Sequence, residues 1–383
     1  MLANVQEATA PDATAMDGLL RDIRKRRKEF EAQKFISPDI IERFKAVGVY
    51  RALVAKRFGG DEKSPAEFCR LVETISQADG SAGWVASFGI GGVYLAALPA
   101  DTLAKLYADG PDVVFAGGIF PPQPAQQVDG GLKVKGRWSF ASGCMGAEVL
   151  GVGILPKNGD SVGLPRMAVM PRAKARIEPN WDVMGLLATG SNDLVVDDVV
   201  VPEEWTFVRG GASSLDTPLY RYPTLAFATQ VLTVVGLGVA RAAIDEVLTM
   251  ASGRVSVTGA PNLGDRVYVQ LEVAKIEAEL RAARSWFYAA IDDVWQVLLA
   301  GGTPDAQLIS MLRLSSTHAS RVGADVARRA QMLTGMTGVY ESSPLAAQVR
   351  DAQMITQHAF MGDITYQNAG AMLFGLPPLP GYL

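Results

Sequence analysis

The spacing of apolar residues changes character twice along the chain. In the first 111 residues it is helical: behind the capping box Ser64-Pro65-Ala66-Glu67, apolar residues recur at i, i+3, i+4 and i+7, namely Phe68, Leu71, Val72 and Ile75. Between residues 112 and 215 the apolar residues form short, valine-rich runs separated by Gly, Pro and Asp, which is typical of strands. From residue 216 to residue 383 the helical spacing returns. The pattern predicts an α+β, mostly α fold with three domains: N-terminal helical (1–111), central β (112–215) and C-terminal helical (216–383).

Several helices are predicted in the N-terminal domain. One spans Met16–Lys34, a second opens at Ser37-Pro38, and a third spans Asp101–Ala108. The stretch Gly80–Ala100 contains no charged residue, but its glycines, its serines and Pro99 interrupt the apolar run. A bilayer-crossing helix needs more continuous apolarity, so this stretch predicts a helix buried inside the protein.

The central region predicts a small antiparallel β-domain. Asp129-Gly130 separates Gln126–Val128 from Leu132–Val134, and this dipeptide tolerates the positive φ of a tight hairpin turn. The predicted strands are Val113–Ala116, Leu132–Phe140, Val149–Leu155, Arg166–Met170 and Leu194–Val201. No segment of helical length interrupts them, so we expect one compact sheet structure.

The C-terminal region predicts a four-helix bundle. Its long helical segments are Thr224–Ala251, Asp265–Leu299, Pro304–Met332 and Leu345–Leu373. Their lengths and short connections favour antiparallel neighbours. The tail Leu376-Pro377-Pro378-Leu379-Pro380 predicts an extended segment laid against another surface.

Composition excludes several classes of function. The chain has 383 residues with 36 basic and 40 acidic side chains, a net charge of −4 that disfavours nucleic acid binding. The two cysteines, Cys69 and Cys144, have no metal or redox spacing, and His318 and His358 are the only histidines, so we expect no metal. No secretory signal or membrane span is recognised, and a cytoplasmic location is expected.

Gly236-Leu237-Gly238 after Val231–Val235 imitates a dinucleotide-binding glycine loop. Arg241 occupies the third glycine position, no acidic residue follows at the required distance, and the surrounding pattern is helical. The sequence therefore argues against a Rossmann site.

The stretch Gly136–Gly143 carries the strongest chemical signal. Its aromatic residues Trp138 and Phe140 precede a small hydroxyl residue, Ser142, and a glycine, Gly143. Aromatic walls beside a hydroxyl and a glycine suit a flat ligand with one polar contact. The alternative is an ordinary strand whose aromatic residues fill a core.

The chain resembles the acyl-CoA dehydrogenase superfamily over nearly its whole length. The resemblance rests on Phe58-Gly59-Gly60-Asp61, on Gly185 through Thr189-Gly190-Ser191-Asn192-Asp193 into Leu194–Pro202, on Gln331 with Gly335, and on Arg350-Asp351-Ala352. It implies a helical domain, a central antiparallel β-barrel and a C-terminal four-helix bundle, with flavin between barrel and bundle. The dehydrogenases remove a proton with a glutamate, but no Glu occurs between Ser342 and the C-terminus or between Tyr220 and Ala240. Dehydrogenation of an acyl-CoA is therefore disfavoured.

Further motifs resemble the flavin-dependent monooxygenases built on this fold. They are Gly136–Gly143, Ser81-Ala82-Gly83-Trp84, Tyr340–Leu345 and Gln357-His358. Those enzymes are oxygenase components that take reduced FMN or FAD from a separate flavin reductase and form a C4a-hydroperoxyflavin. The resemblance implies hydroxylation of a small aromatic substrate, phenol-like or indole-like, by a homotetramer. Oxygenation of a sulfur or nitrogen atom, an acyl-CoA dehydrogenase or oxidase activity, and a catalytically silent helical scaffold remain alternatives.

The resemblance also implies roles for single residues. Ser142 is expected to face flavin N5 and His358 to act as a catalytic acid or base, although a core role for His358 is the alternative. The other expected flavin contacts are Trp138, Phe140, Gly143, Arg254, Gln331 and Thr334, and the expected substrate contacts are Trp84, Phe88 and Phe360. Arg254 is followed by Val255-Ser256-Val257 rather than the family's usual context, which suits transiently bound flavin. The uncharged helix carries no second histidine, which favours an electron-rich ring such as indole.

Overall fold

The computed structural model describes residues 13–158, 161–208, 210–253 and 261–383, and it is mainly helical. Within these ranges the α-helices are α1 (Ala13–Gln33), α2 (Pro38–Ala46), α3 (Pro65–Ser76), α4 (Gly80–Ser87), α5 (Gly91–Leu95), α6 (Ala100–Leu106), α7 (Pro218–Arg221), α8 (Thr224–Gly253), α9 (Val267–Leu299), α10 (Ala306–Leu333), α11 (Pro344–Thr356) and α12 (Ile364–Leu373). The strands are β1 (Phe115–Val128), β2 (Gly131–Ala141), β3 (Val149–Asn158), β4 (Ser161–Val162), β5 (Arg166–Pro171), β6 (Arg176–Glu178), β7 (Asn192–Val201) and β8 (Thr206–Val208).

The chain forms two compact units. The sheet unit comprises the described residues up to Lys63 together with Phe88–Asn180 and Gly190–Leu215. The helical unit comprises Ser64–Ser87, Trp181–Thr189 and Asp216–Leu383. The capped helix α3 confirms the capping box, because Ser64 Oγ accepts from the Glu67 N–H and the Glu67 carboxylate accepts from the Ser64 N–H.

The sheet runs in the order β6-β7-β2-β1-β3-β5-β8, with β4 paired to β3. The Asp129-Gly130 hairpin between β1 and β2 is confirmed, with Gly130 at φ +85°. The expectation of a wholly antiparallel sheet is wrong, because β1 and β3 pair in parallel. The chain reverses direction after β2 and then pairs with the far edge of β1, so β3 runs in the same direction as β1. Closure of this sheet into a barrel remains a prediction.

Alternate residues of the strands form the core of the sheet unit. The largest of them is Trp138, which is fully buried and donates its indole N–H to the Gly153 carbonyl at 2.7 Å. It packs with apolar side chains of β2, β3 and β7 that include Val134, Val152 and Leu194. Burial of such side chains supplies the main stabilisation of the unit.

Helix α8 packs against α3, α4, α10 and α11 in the helical unit. Its Gly236-Leu237-Gly238 lies inside the helix, which agrees with the rejection of a dinucleotide loop. A Cβ on Gly238 would lie 2.5 Å from the Glu73 carbonyl oxygen on α3. The glycine therefore permits close helix packing.

Two long helices predicted from sequence are interrupted. Gly80–Ala100 ends its first helix at Ser87 and continues through a 3₁₀ turn into α5. Leu345–Leu373 is broken between α11 and α12, where His358 is extended at φ −64° and ψ 139°. The His358 Nδ1 accepts from the Phe360 N–H at 3.3 Å, and this local hydrogen bond replaces a helical one. Apolar periodicity could not reveal such a break.

The tail beyond α12 is held by two polar side chains, as expected for a segment laid on a surface. Asn368 Oδ1 accepts from the Leu379 N–H at 2.6 Å, and the buried Arg313 donates to the Tyr382 carbonyl. Across the described ranges, no helix has the length and apolar character needed to cross a membrane.

Candidate active site

Ser142 lies at the end of β2, in the sheet unit, where the strand turns. Its hydroxyl is buried and lies 2.7 Å from the hydroxyl of Ser191, which precedes β7. The Cys144 thiol donates to the Gly190 carbonyl at 3.3 Å and ties the same two segments together. Ala141 pairs with Asn192 in the sheet. This pairing holds the neighbouring residues Ser142 and Ser191, and therefore their hydroxyls, close together. The hydroxyl of Ser142 therefore has a defined partner.

Ser191 was not among the residues predicted for the site, although its hydroxyl lies against that of Ser142. It belongs to the stretch Thr189–Asp193, but nothing in that stretch indicates contact with a residue 49 positions away. The neighbouring Asp193 is buried and bonds Arg137 at 2.5 Å. Burial opposes ionisation, yet the hydrogen bonds from Arg137, Asn180 and Ser139 lower the pKa of Asp193. A charged network thus fixes β2 against β7 beside the serine pair.

The two aromatic residues of the Gly136–Gly143 stretch have opposite environments. Trp138 belongs to the core, and this placement favours the alternative core role over its predicted flavin contact. Phe140 is 72% exposed and adopts φ +62°, a conformation that costs an L-residue energy. Gly143 follows Ser142 at φ +75°. The exposed Phe140 ring stands on a strained backbone two residues before Ser142, and this combination is a candidate ligand surface.

A second cluster lies in the helical unit and brings three predicted site residues together. The Trp84 and His358 rings meet at 6.0 Å between centroids, and the His358 and Phe360 rings meet at 4.6 Å, both edge-on. Trp84 is almost fully buried on α4, whereas His358 is partly buried at the break after α11. The arrangement combines aromatic surface with one titratable nitrogen heterocycle.

Burial lowers the pKa of His358 to about 4, so its imidazole is neutral at neutral pH. Because Nδ1 accepts from the Phe360 N–H, the neutral ring carries its proton on Nε2. The ring can then donate a hydrogen bond through Nε2–H. Of the predicted roles of acid and base, acid catalysis by an imidazolium is therefore disfavoured.

The other predicted site residues have the following local surroundings. Phe88 is partly buried in the 3₁₀ turn of the sheet unit. Gln331 donates to the Gly338 carbonyl at 2.8 Å and Thr334 donates to the Gln331 carbonyl at 2.7 Å, so both organise the turn after α10. Arg254 lies outside the described residues. The predicted substrate contact of Phe88 and the predicted flavin contacts of Gln331, Thr334 and Arg254 remain predictions.

The side chains around Ser142 fit a flavin ring. Paired hydroxyls can hydrogen bond a ring nitrogen, and the exposed Phe140 and the small Gly143 leave surface for a flat ring system. In the described part of the chain, no group of three or more His, Cys, Asp or Glu side chains could hold a metal ion.

Comparison with known proteins gives consistent results. Residues 230–363 match the family described as acyl-CoA dehydrogenase, C-terminal domain. The chain is 64% identical to an indole-3-acetate monooxygenase of Pseudomonas putida over 96% of this chain and 95% of that protein. It is 55% identical to an indole-3-acetate monooxygenase of Acinetobacter baumannii over 100% and 99%.

More distant matches agree with these. The oxygenase component of the FADH2-dependent resorcinol hydroxylase of Rhizobium sp. is 29% identical, over 94% of this chain and 93% of that protein. The crystal structure of 3-HSA hydroxylase from Rhodococcus sp. RHA1 superposes with a TM-score of 0.89 at 26% identity, over 95% of this chain and 96% of that one. The fold, the near full-length identity to named monooxygenases and the missing glutamate lead to one conclusion: the chain belongs to the flavin-dependent monooxygenases of the acyl-CoA dehydrogenase fold.

Proposed function

We propose that this enzyme is an oxygenase component that oxygenates indole-3-acetate or a closely related indole. The observation that carries the proposal is the Trp84–His358–Phe360 cluster, in which a neutral imidazole contacts two aromatic rings. Identities of 64% and 55% to indole-3-acetate monooxygenases support the substrate class. Trp84 and Phe360 supply apolar ring surface for an indole, and His358 supplies one hydrogen bond through Nε2–H.

Reduced FAD or FMN, supplied by a separate flavin reductase, activates dioxygen when bound. Ser142 holds a hydrogen bond at flavin N5, and Ser191 fixes the direction of the Ser142 hydroxyl. Phe140 and Gly143 contact the flavin ring, while Arg254, Gln331 and Thr334 face its phosphate and nucleotide parts. A neighbouring subunit supplies the last three residues in the homotetramer that the fold implies.

The proposal also covers the domain boundaries, the barrel and the helix bundle. The division into domains 1–111, 112–215 and 216–383 and the four-helix bundle are inferred from the apolar pattern, and the closure of the sheet into a barrel from the family resemblance. A cytoplasmic location belongs to this proposal too. Limited proteolysis and analytical ultracentrifugation would test the domain boundaries and the tetramer.

Product analysis tests the reaction. Purified enzyme is given ¹⁸O₂ and reduced flavin from any reductase. Separate reactions contain indole-3-acetate, indole, a phenol, a thiophene or an acyl-CoA. We expect indole-3-acetate to gain one labelled oxygen, while the second oxygen leaves as water and the flavin is oxidised. Failure to label any indole, or reduction of oxidised flavin by the acyl-CoA, would contradict the proposal. Labelling of the thiophene sulfur alone would favour the heteroatom alternative.

A further inference from the structure

Helix α4 contacts α11 at Asp351 and contacts the residue His358 in the break that follows α11, both in the helical unit. At the first contact Gly80 abuts Asp351, because a Cβ on Gly80 would lie 2.5 Å from Asp351 Oδ2. At the second contact the Trp84 ring meets the His358 ring. Trp84 follows Gly80 by one helical turn, and His358 follows Asp351 towards the same end of the pair. The Gly80–Asp351 contact therefore lies one helical turn along α4 from the Trp84–His358 contact.

Asp351 also holds a segment that reaches both helices. Its Oδ1 accepts from the Leu186 N–H at 2.6 Å, and two residues later the Ala188 N–H donates to Ser81 Oγ on α4 at 3.2 Å. A Cβ on Gly185 would lie 2.6 Å from the Arg350 carbonyl oxygen, so this segment is packed directly on α11. The segment 185–188 thus connects α11 to α4 through two hydrogen bonds.

The backbone of this segment is strained, which indicates that its contacts determine its shape. Leu186 adopts φ +53°, an unfavourable conformation for a leucine. Such a conformation persists only where surrounding contacts over-determine it. Asp351 is 8% exposed, so loss of its carboxylate leaves the Leu186 N–H buried without that acceptor.

We propose that Asp351 is a positioning residue: by holding segment 185–188 and Gly80 against α11, it sets the separation of the Trp84 and His358 rings. The proposal rests on the proposed function for the role of those rings. The carboxylate acts through the two helices and needs no contact with substrate or flavin. Without it, α4 separates from α11 and water reaches the His358 imidazole.

The test follows the titration of His358 in the ligand-free protein by NMR. The chain contains two histidines, and His318, which packs against Trp286 at 5.6 Å, serves as internal reference. The variants are Asp351→Ala, Asp351→Asn, which retains an acceptor oxygen, and Gly80→Ala. Gly370→Ala on α12 is the matched control, because apart from its chain neighbours and its own helix backbone no atom lies within 4 Å of a Cβ there.

We expect Asp351→Ala and Gly80→Ala to raise the pKa of His358 by about one unit or more, towards the value of an exposed histidine. Asp351→Asn should shift it less, and Gly370→Ala and the His318 signal should not change. A folded Asp351→Ala or Gly80→Ala protein with an unchanged His358 titration would refute the positioning role. If Asp351→Ala does not fold, the His358 titrations of Asp351→Asn and Gly80→Ala test the positioning role. An Asp351→Asn protein that does not fold would also count against the proposal. The labelling experiment tests the reaction independently, because it uses the unaltered enzyme.

Discussion

The hydroxyl of Ser142 lies 2.7 Å from the hydroxyl of Ser191, and both side chains are buried. A serine hydroxyl has one proton to donate, so one oxygen of the pair donates and the other accepts. If Ser142 donates to Ser191, its lone pairs remain directed elsewhere and can accept from a flavin N5–H. The direction of the Ser142 hydroxyl therefore depends on Ser191.

Substitution of Ser191 by Ala should remove the hydrogen bond between the two hydroxyls and leave Ser142 itself in place. One lost hydrogen bond is worth ~1 kcal/mol, which corresponds to about a fivefold change in a rate or equilibrium. We therefore expect the ratio of hydrogen peroxide released to product formed to rise by about fivefold. Ser142→Ala should raise that ratio further. Peroxide and product are measured in the same reaction, with Ser213→Ala as control because that hydroxyl bonds the Ala96 carbonyl at 3.0 Å. A wild-type ratio in Ser191→Ala would show that the pair does not support the flavin reaction.

The strained Phe140 should be destabilising in the absence of flavin. At φ +62° a non-glycine residue costs about 1 kcal/mol, so Phe140→Gly should raise the free energy of unfolding of the ligand-free protein by roughly that amount. The same variant should bind reduced flavin more weakly, because the exposed ring is lost. Urea unfolding and an anaerobic flavin titration measure the two effects.

Phe374→Gly provides the comparison for Phe140→Gly. Phe374 is 86% exposed at φ −89°, so glycine there relieves no strain and should only destabilise the protein. A Phe140→Gly protein that is less stable than wild type would contradict the strain at Phe140. One that retains full flavin affinity would show that the Phe140 ring does not contact the flavin.

Features encoded by adjacent residues were predicted from the sequence, and features that depend on distant contacts were not. The Ser64–Glu67 cap and the Asp129-Gly130 hairpin are local, and both were confirmed. The parallel pairing of β1 with β3 depends on which edge of β1 remains available, and residue spacing cannot specify that. The partnership of Ser142 with Ser191 joins residues 49 positions apart.

The break at His358 shows the same limit within one helix prediction. Apolar periodicity continues through residues 345–373, but a hydrogen bond from the Phe360 N–H to the imidazole ends α11. The histidine was singled out from its sequence position, yet its protonation state depends on burial that only the folded chain provides.

The Glu73 carboxylate should contribute strongly to the stability of the helical unit. It is 4% exposed and accepts hydrogen bonds from Arg284 at 2.6 Å and from the Tyr288 hydroxyl at 2.5 Å. Glu73→Ala leaves the buried Tyr288 hydroxyl without this acceptor and the half-exposed Arg284 without this partner, and we expect a loss of about 2–3 kcal/mol in the free energy of unfolding. Asp325→Ala removes the half-exposed partner of Arg328 and one of three carboxylates around Arg329, which keeps Glu272 and Glu279, so it should cost at most about 1 kcal/mol. Similar losses in the two variants, measured by urea unfolding, would contradict this assignment.

The buried His358 should make folding stability depend on pH between about 4 and 6.5. Because its pKa falls from 6.5 in the unfolded chain to about 4 in the folded protein, the unfolded state binds more protons across this range. Stability that is fully present above pH 6.5 is therefore lost as the pH falls towards 4, by up to ~3 kcal/mol from this residue alone. His358→Gln has no such titration, so the stability difference between wild type and this variant should fall by that amount as the pH falls. Urea unfolding of both proteins at intervals from pH 7 to pH 4 measures the difference, and Gln357→Ala, at the exposed neighbouring position, controls for local packing. A difference independent of pH would mean that water already reaches the imidazole, and the neutral Nε2–H donor assigned to the substrate site would then be wrong.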